Sequence, residues 1–140
     1  PDGLLLQQLA ALKQGQDVKT EEGLILYRNE DLTLPAKHSR SYAYCSDTAY
    51  DTRLIPLIKD VDLLYHEATF AEEDKLKAKE TKHSTALEAA RIAQQAKVKK
   101  LAIGHFSARY KDLNILANEA KSVFNNTVLA NEGDTFSLEE

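Results

Sequence analysis

Three short apolar runs, Tyr42-Ala43-Tyr44-Cys45, Val61-Asp62-Leu63-Leu64-Tyr65 and Lys100-Leu101-Ala102-Ile103-Gly104, alternate with stretches of helical pattern. No other feature of the chain constrains its fold as strongly. Near-continuous apolar strands belong to a sheet covered by helices, and strand–helix repetition over residues 42–124 predicts an α/β layer with a largely parallel sheet. The helical segments are Leu54 to Ile58, residues 71–80, residues 84–97 and Leu113 to Phe124. The clearest is 84–97, alanine-rich and opened by Thr85 and Glu88 at capping-box spacing. Thr127 to Ala130 and Thr135 to Leu138 read as two last strands about a turn at Asn131-Glu132-Gly133-Asp134. Upstream, Leu5, Leu9 and Leu12 predict a short amphipathic helix stopped by Gly15. Residues 17–40 read as hairpin or loop, punctuated by Gly23 and Pro35. No linker or repeat divides the chain.

The polar residues gather where these strands end. The first run leads into Ser46-Asp47-Thr48, the second into His66-Glu67-Ala68-Thr69, and the third into His105-Phe106-Ser107-Ala108-Arg109-Tyr110. Ligands of open α/β sheets bind outside the carboxyl ends of the strands. His83-Ser84-Thr85 precedes the best helix, whose N-terminus favours anions. Asp47 offers a hard oxygen ligand and His105 a neutral nitrogen, a pair suited to a hydrolytic zinc site. His83 can carry a proton near neutral pH, and Glu67 can orient it and keep it protonated. Arg109 can clamp a phosphate with its planar fork. Singly, each residue has a plainer reading: Asp47 as a turn former, His66 or His105 as a satisfied polar group, Ser84 and Thr85 as caps. The charged stretch Glu72 to Lys82 reads as a solvated helix face, His38 as loop surface, and Cys45 as a small packed side chain.

Charge and cysteine usage narrow the partners. A formal net charge of −4 excludes a broad basic surface, though not a local basic cluster. Cys45 is the one cysteine, so no intrachain disulfide forms and a cytoplasmic setting fits. No apolar run is long enough to span a bilayer, so no membrane partner is expected.

The Ser-Asp-Thr, His-Glu-Ala-Thr, His-Ser-Thr and Ser-Ala-Arg-Tyr segments, in this order and at these intervals, resemble the ribonuclease Z family of the metallo-β-lactamase superfamily. The tail Ala120 to Asp134 and the opening Leu9 to Val18 extend the likeness over nearly the whole chain. The resemblance implies a zinc-dependent endoribonuclease that removes the 3′ trailer from tRNA precursors, commonly as a homodimer. Asp47 would bridge two zinc ions and His105 would be a terminal ligand. His83, paired with Glu67, would protonate the departing 3′ oxygen, and Ser107 and Arg109 would hold the 3′-terminal phosphates. His66 would be structural.

The family's His-x-His-x-Asp-His motif has no counterpart here, because the four histidines lie at 38, 66, 83 and 105. The tRNA-binding arm is missing too, and Ser46 stands where the family usually has Gly. With the missing Met and the abrupt apolar start, this leads to the expectation that residues 1–140 are the C-terminal half of one metallo-β-lactamase (αβ/βα sandwich) domain. A catalytic zinc takes three protein ligands, so the piece alone is expected to lack a dinuclear centre and activity. The competing readings are another phosphodiesterase of the same fold, acting on small cyclic nucleotides, and a non-catalytic α/β binding module.

Overall fold

The computed structural model describes residues 3–35 and 39–138, so His38 lies outside the described residues. The chain divides into two compact units, residues up to 39 and residues from 40 onward.

The first unit runs α1 (Leu6–Lys13), β1 (Val18–Lys19), β2 (Ile25–Tyr27) and α2 (Asn29–Leu32). Gly15, at φ +77°, ends α1 and donates its N–H to the Leu12 carbonyl at 3.0 Å. Of the three leucines expected on the apolar face, only Leu12 is buried; Leu5 and Leu9 are exposed. The hairpin expected within 17–40 is present, with β1 antiparallel to β2. The single turn α2 is too short for any hydrophobic period. It is held instead by Asn29, which donates from Nδ2 to the Leu12 carbonyl at 2.7 Å and from its backbone N–H to Asp17 Oδ1 at 2.8 Å.

The second unit is a four-stranded parallel sheet in the order β3 (Tyr42–Cys45), β4 (Leu63–Glu67), β5 (Lys100–Gly104), β6 (Thr127–Leu129). Its helices are α3 (Lys75–Thr81), α4 (Ala86–Ala96) and α5 (Asn114–Val123). Alternation along the strands sends Ala43, Cys45, Leu64, Leu101, Ile103 and Leu129 into one core with the alanine face of α4 and with Leu116 and Ala120 of α5. α4 opens with the expected reciprocal cap: Thr85 Oγ1 accepts from the Glu88 N–H at 3.1 Å, and Glu88 Oε2 accepts from the Thr85 N–H at 3.0 Å. On the opposite sheet face Tyr44 stacks on Tyr65, with ring centroids 4.7 Å apart. The Tyr65 ring also covers Gly104 so closely that a Cβ there would collide with it.

Three expectations are corrected. The second strand spans Leu63–Glu67 rather than 61–65, because Asp62 is occupied in a corner before it. Its carboxylate accepts from the Ser41 N–H at 2.7 Å and from Lys99 Nζ at 2.7 Å. Thr135 to Leu138 is not a strand; Phe136 lies beneath Lys100 Nζ, 5.6 Å from its ring centroid, at the start of β5 rather than beside β6. The helix expected at Leu54 to Ile58 is a 3₁₀ turn, Thr52–Leu54, continued by hydrogen-bonded turns. Among the described residues no helix is long and apolar enough to cross a membrane.

Candidate active site

The carboxyl ends of β3, β4 and β5 deliver Asp47, Glu67 and His105 to one edge of the sheet, and His83 joins them from the loop before α4. The donor atoms of Asp47, His83 and His105 lie within 4.8 Å of one another. Asp47 and His105 both sit in the left-handed region, at φ +50° and +60°. Such a conformation costs a non-glycine residue free energy and collects at functional sites, and Asp and His tolerate it better than most residues. Here it turns each side chain back toward the same point as its strand ends.

Glu67 organises the cluster. It is fully buried and its two oxygens accept four hydrogen bonds. Oε1 accepts from the Thr48 N–H at 2.7 Å and from His83 Nδ1 at 2.8 Å. Oε2 accepts from Thr69 Oγ1 at 2.7 Å and from the Ser84 N–H at 3.1 Å. Burial pushes the Glu67 carboxyl up, but these bonds together outweigh it and hold the pKa below the ordinary glutamate value. Glu67 is therefore an anion that only accepts, so His83 Nδ1 carries a proton and Nε2 is the atom left for chemistry.

The same logic fixes His105. The one hydroxyl hydrogen of Thr69 goes to Glu67, so the 2.9 Å contact between Thr69 Oγ1 and His105 Nδ1 is donated by the ring. In the neutral ring Nε2 then keeps its lone pair, and it faces Asp47 Oδ1 at 3.3 Å. A cation placed between these two atoms would be held by both. Two imidazoles and a carboxylate form a donor set that suits a divalent metal such as zinc.

Beyond His83 the wall continues through Phe70, whose ring centroid is 6.3 Å from that of His83. The Arg109 guanidinium lies over this ring, 5.2 Å from its centroid, and donates from Nη1 to Asp74 Oδ1 at 2.6 Å. Tyr110 donates its hydroxyl to Asp74 Oδ2 and accepts from the Ala71 N–H at 2.9 Å. The Tyr110 and Arg109 bonds hold the Asp74 carboxyl below the usual aspartate range. Ser107 braces the loop: its N–H donates to the Thr69 carbonyl at 3.0 Å and its hydroxyl oxygen accepts from the Arg109 N–H at 3.5 Å.

His66 stands apart from the site. It points into the helix-covered core with Nδ1 2.7 Å from the Glu67 carbonyl, and burial pushes its pKa down. Thr69 and Asp74 are the residues sequence reasoning missed. Thr69 carried a signal, since its position two after Glu67 matches a strand-end bridge. Asp74 carried none, because within Glu72 to Lys82 it looks like any solvated charge.

The chain is similar to the ribonuclease Z of Porphyromonas gingivalis strain W83, with 54% identity over 127 residues, 91% of this chain and 41% of that protein. It is similar to the ribonuclease Z of Cytophaga hutchinsonii at 46% identity over its full 140 residues, which make up 45% of that relative. The chain belongs to the ribonuclease Z family. It spans about two fifths of the length of the curated relatives it matches, the share expected of a C-terminal portion. Among solved structures it is similar to the metallo-β-lactamase fold protein YhfI from Bacillus subtilis, with a TM-score of 0.64 and 31% identity over 69% of this chain and 39% of that one. The fold is therefore of the metallo-β-lactamase type, as the resemblance implied. No family model matches the chain. The Asp47–His83–His105 cluster, with Glu67 bonded to His83, is the one group of possible metal donors among the described residues.

Proposed function

We propose that the protein carrying this chain is a metal-dependent endoribonuclease that removes the 3′ trailer from tRNA precursors. The observation that carries the reading is the meeting of Asp47, His83 and His105 within 4.8 Å, with His83 bonded to a buried anionic Glu67 at 2.8 Å.

Each residue has a task in phosphodiester hydrolysis. Asp47 and His105 would hold zinc, shared with ligands that residues 1–140 do not contain, and zinc when bound supplies Lewis-acid charge at the phosphate and a more acidic water. Glu67 fixes the His83 ring with Nδ1–H toward itself and stabilises the imidazolium. His83 Nε2–H then gives its proton to the departing 3′ oxygen, which leaves as a hydroxyl. Thr69 keeps His105 in the tautomer whose Nε2 is free. Arg109 spends Nη1 on Asp74 and offers the rest of its fork to a phosphate, with Ser107 shaping the loop that presents it.

The domain boundaries, the cytoplasmic setting and a homodimer complete the proposal. Residues 1–140 form the C-terminal part of one metallo-β-lactamase domain. The half-buried free thiol of Cys45 supports a reducing compartment, and the family resemblance supports the dimer. With only Asp47 and His105 as ligands, the chain alone falls short of a dinuclear site and is inactive. Assay of the full-length protein on a tRNA precursor and on a small phosphodiester tests the reading. Preference for the precursor supports it, and turnover of the small diester alone overturns it.

A further inference from the structure

The His83 side chain is 24% exposed. A cavity of about 380 Å³ adjoins it, walled by Tyr50, Leu76, Lys75, Lys79 and Glu88 as well as by His83 itself. Tyr50 also lines a second cavity of about 420 Å³ that contains Asp47, Thr48, Arg53 and Lys82. One aromatic ring thus stands between the cavity that touches the metal ligand and the cavity that touches the proton donor.

The chemistry of the walls is uneven in an informative way. Leu76 is 79% exposed, a large apolar side chain left uncovered on the wall of the His83 cavity. Tyr50 packs its inner side on the core and gives its other side to both cavities. Lys75 is paired with Glu72 at 2.9 Å, whereas Lys79 and Lys82 make no ion pair among the described residues. Two unpaired cations therefore flank His83 on a chain whose net charge is −4. An aromatic ring with an apolar neighbour suits a flat, weakly polar ligand, and the free ammonium groups suit an anion attached to it. A nucleotide combines both features, and single-stranded RNA is held by aromatic stacking beside a cationic track.

We propose that the Tyr50 cavity seats the nucleoside carrying the departing 3′ oxygen, its base against Tyr50 and Leu76 and its 5′ phosphate at Lys79. The inference rests on the function proposed above and adds to it a base-binding subsite. The nucleoside is placed on this side because the cavity touches His83, the group that protonates that oxygen. The subsite reads the flat face of a base, so it selects for the presence of a base more than for its identity.

The test uses full-length protein and two tRNA precursors, one intact and one abasic at the nucleotide 5′ to the scissile phosphate. Wild-type protein loses about tenfold in kcat/KM on the abasic precursor, the scale of one base–aromatic stack. Tyr50→Ala and Leu76→Ala lose activity on the intact precursor and little further on the abasic one, so the ratio between substrates collapses toward one. Tyr50→Phe keeps the wild-type ratio. Lys79→Ala raises KM on both precursors alike and lowers the slope of log KM against log salt by about one ion. Should Tyr50→Ala fail to fold, Leu76→Ala decides, because that exposed side chain supports no core. An unchanged ratio in Leu76→Ala and Tyr50→Ala, with wild-type cleavage of the intact precursor, overturns the subsite and leaves the proposed function standing. Failure of wild-type protein to cut any tRNA precursor overturns both.

Discussion

At the residue scale the site rests on one buried anion. Every hydrogen bond to Glu67 fixes something else: the turn after Asp47 through Thr48, the ring of the proposed proton donor through His83, the loop before α4 through Ser84, and the tautomer of the proposed ligand His105 through Thr69. His83→Ala is expected to lower kcat by roughly 10²–10⁴-fold, the usual worth of a positioned acid, while metal content stays at the wild-type level. Loss of metal in that variant would make His83 a ligand instead. Glu67 also sets a pH dependence. Its folded pKa lies below its ordinary value of 4.5, so it contributes stability above that pH and loses it as pH falls through the folded value. Denaturant titrations should therefore show a shallower acid limb in Glu67→Gln than in wild type; parallel limbs would mean that the carboxylate is not linked to folding. Asp74→Asn frees Arg109 and Tyr110 together. It is expected to raise KM for a tRNA precursor with kcat little changed, and a fall in kcat alone would contradict a positioning role.

At the element scale the sequence was most readable where one face of an element meets the core. Tyr42–Cys45 and Lys100–Gly104 form strands at the expected bounds, and α4 starts at the expected cap. All three are written in local terms, by apolar alternation or by Thr85 and Glu88. The start of β4 was not readable, because Val61 and Asp62 match a strand in pattern and are diverted by long-range bonds from Ser41 and Lys99. Thr135 to Leu138 has strand-like alternation but pairs with no described strand, and pattern alone cannot supply a partner. The site residues were legible as types at strand ends; their mutual geometry was not. Nothing in the sequence showed that Asp47 and His105 adopt positive φ, or that Thr69 joins Glu67 to His105. Thr85→Ala removes the α4 cap together with the 3.0 Å bond from Thr85 Oγ1 to Glu72. It should cost about 1–2 kcal/mol of stability in chemical denaturation, and no change would show that the cap is dispensable.

At the scale of the whole molecule, opposite charge balances coexist. The chain is acidic overall, yet Lys79 and Lys82 make no ion pair among the described residues and Arg109 stands over Phe70. An acidic whole with a cationic rim is compatible with RNA binding that is local and salt-sensitive. The chain also spans about two fifths of its ribonuclease Z relatives, and the two ligands proposed for it, Asp47 and His105, would fall short of a dinuclear centre. The central claim is that Asp47 is part of the hydrolytic centre of a tRNA 3′-processing nuclease. The most direct test maps the cleavage of a tRNA precursor by full-length protein with and without Asp47→Ala. The wild type should cut once at the trailer junction, leaving a 3′ hydroxyl on the tRNA, and Asp47→Ala should leave the precursor intact. Undiminished cutting by Asp47→Ala, or a 2′,3′-cyclic phosphate at the new tRNA end, would contradict it.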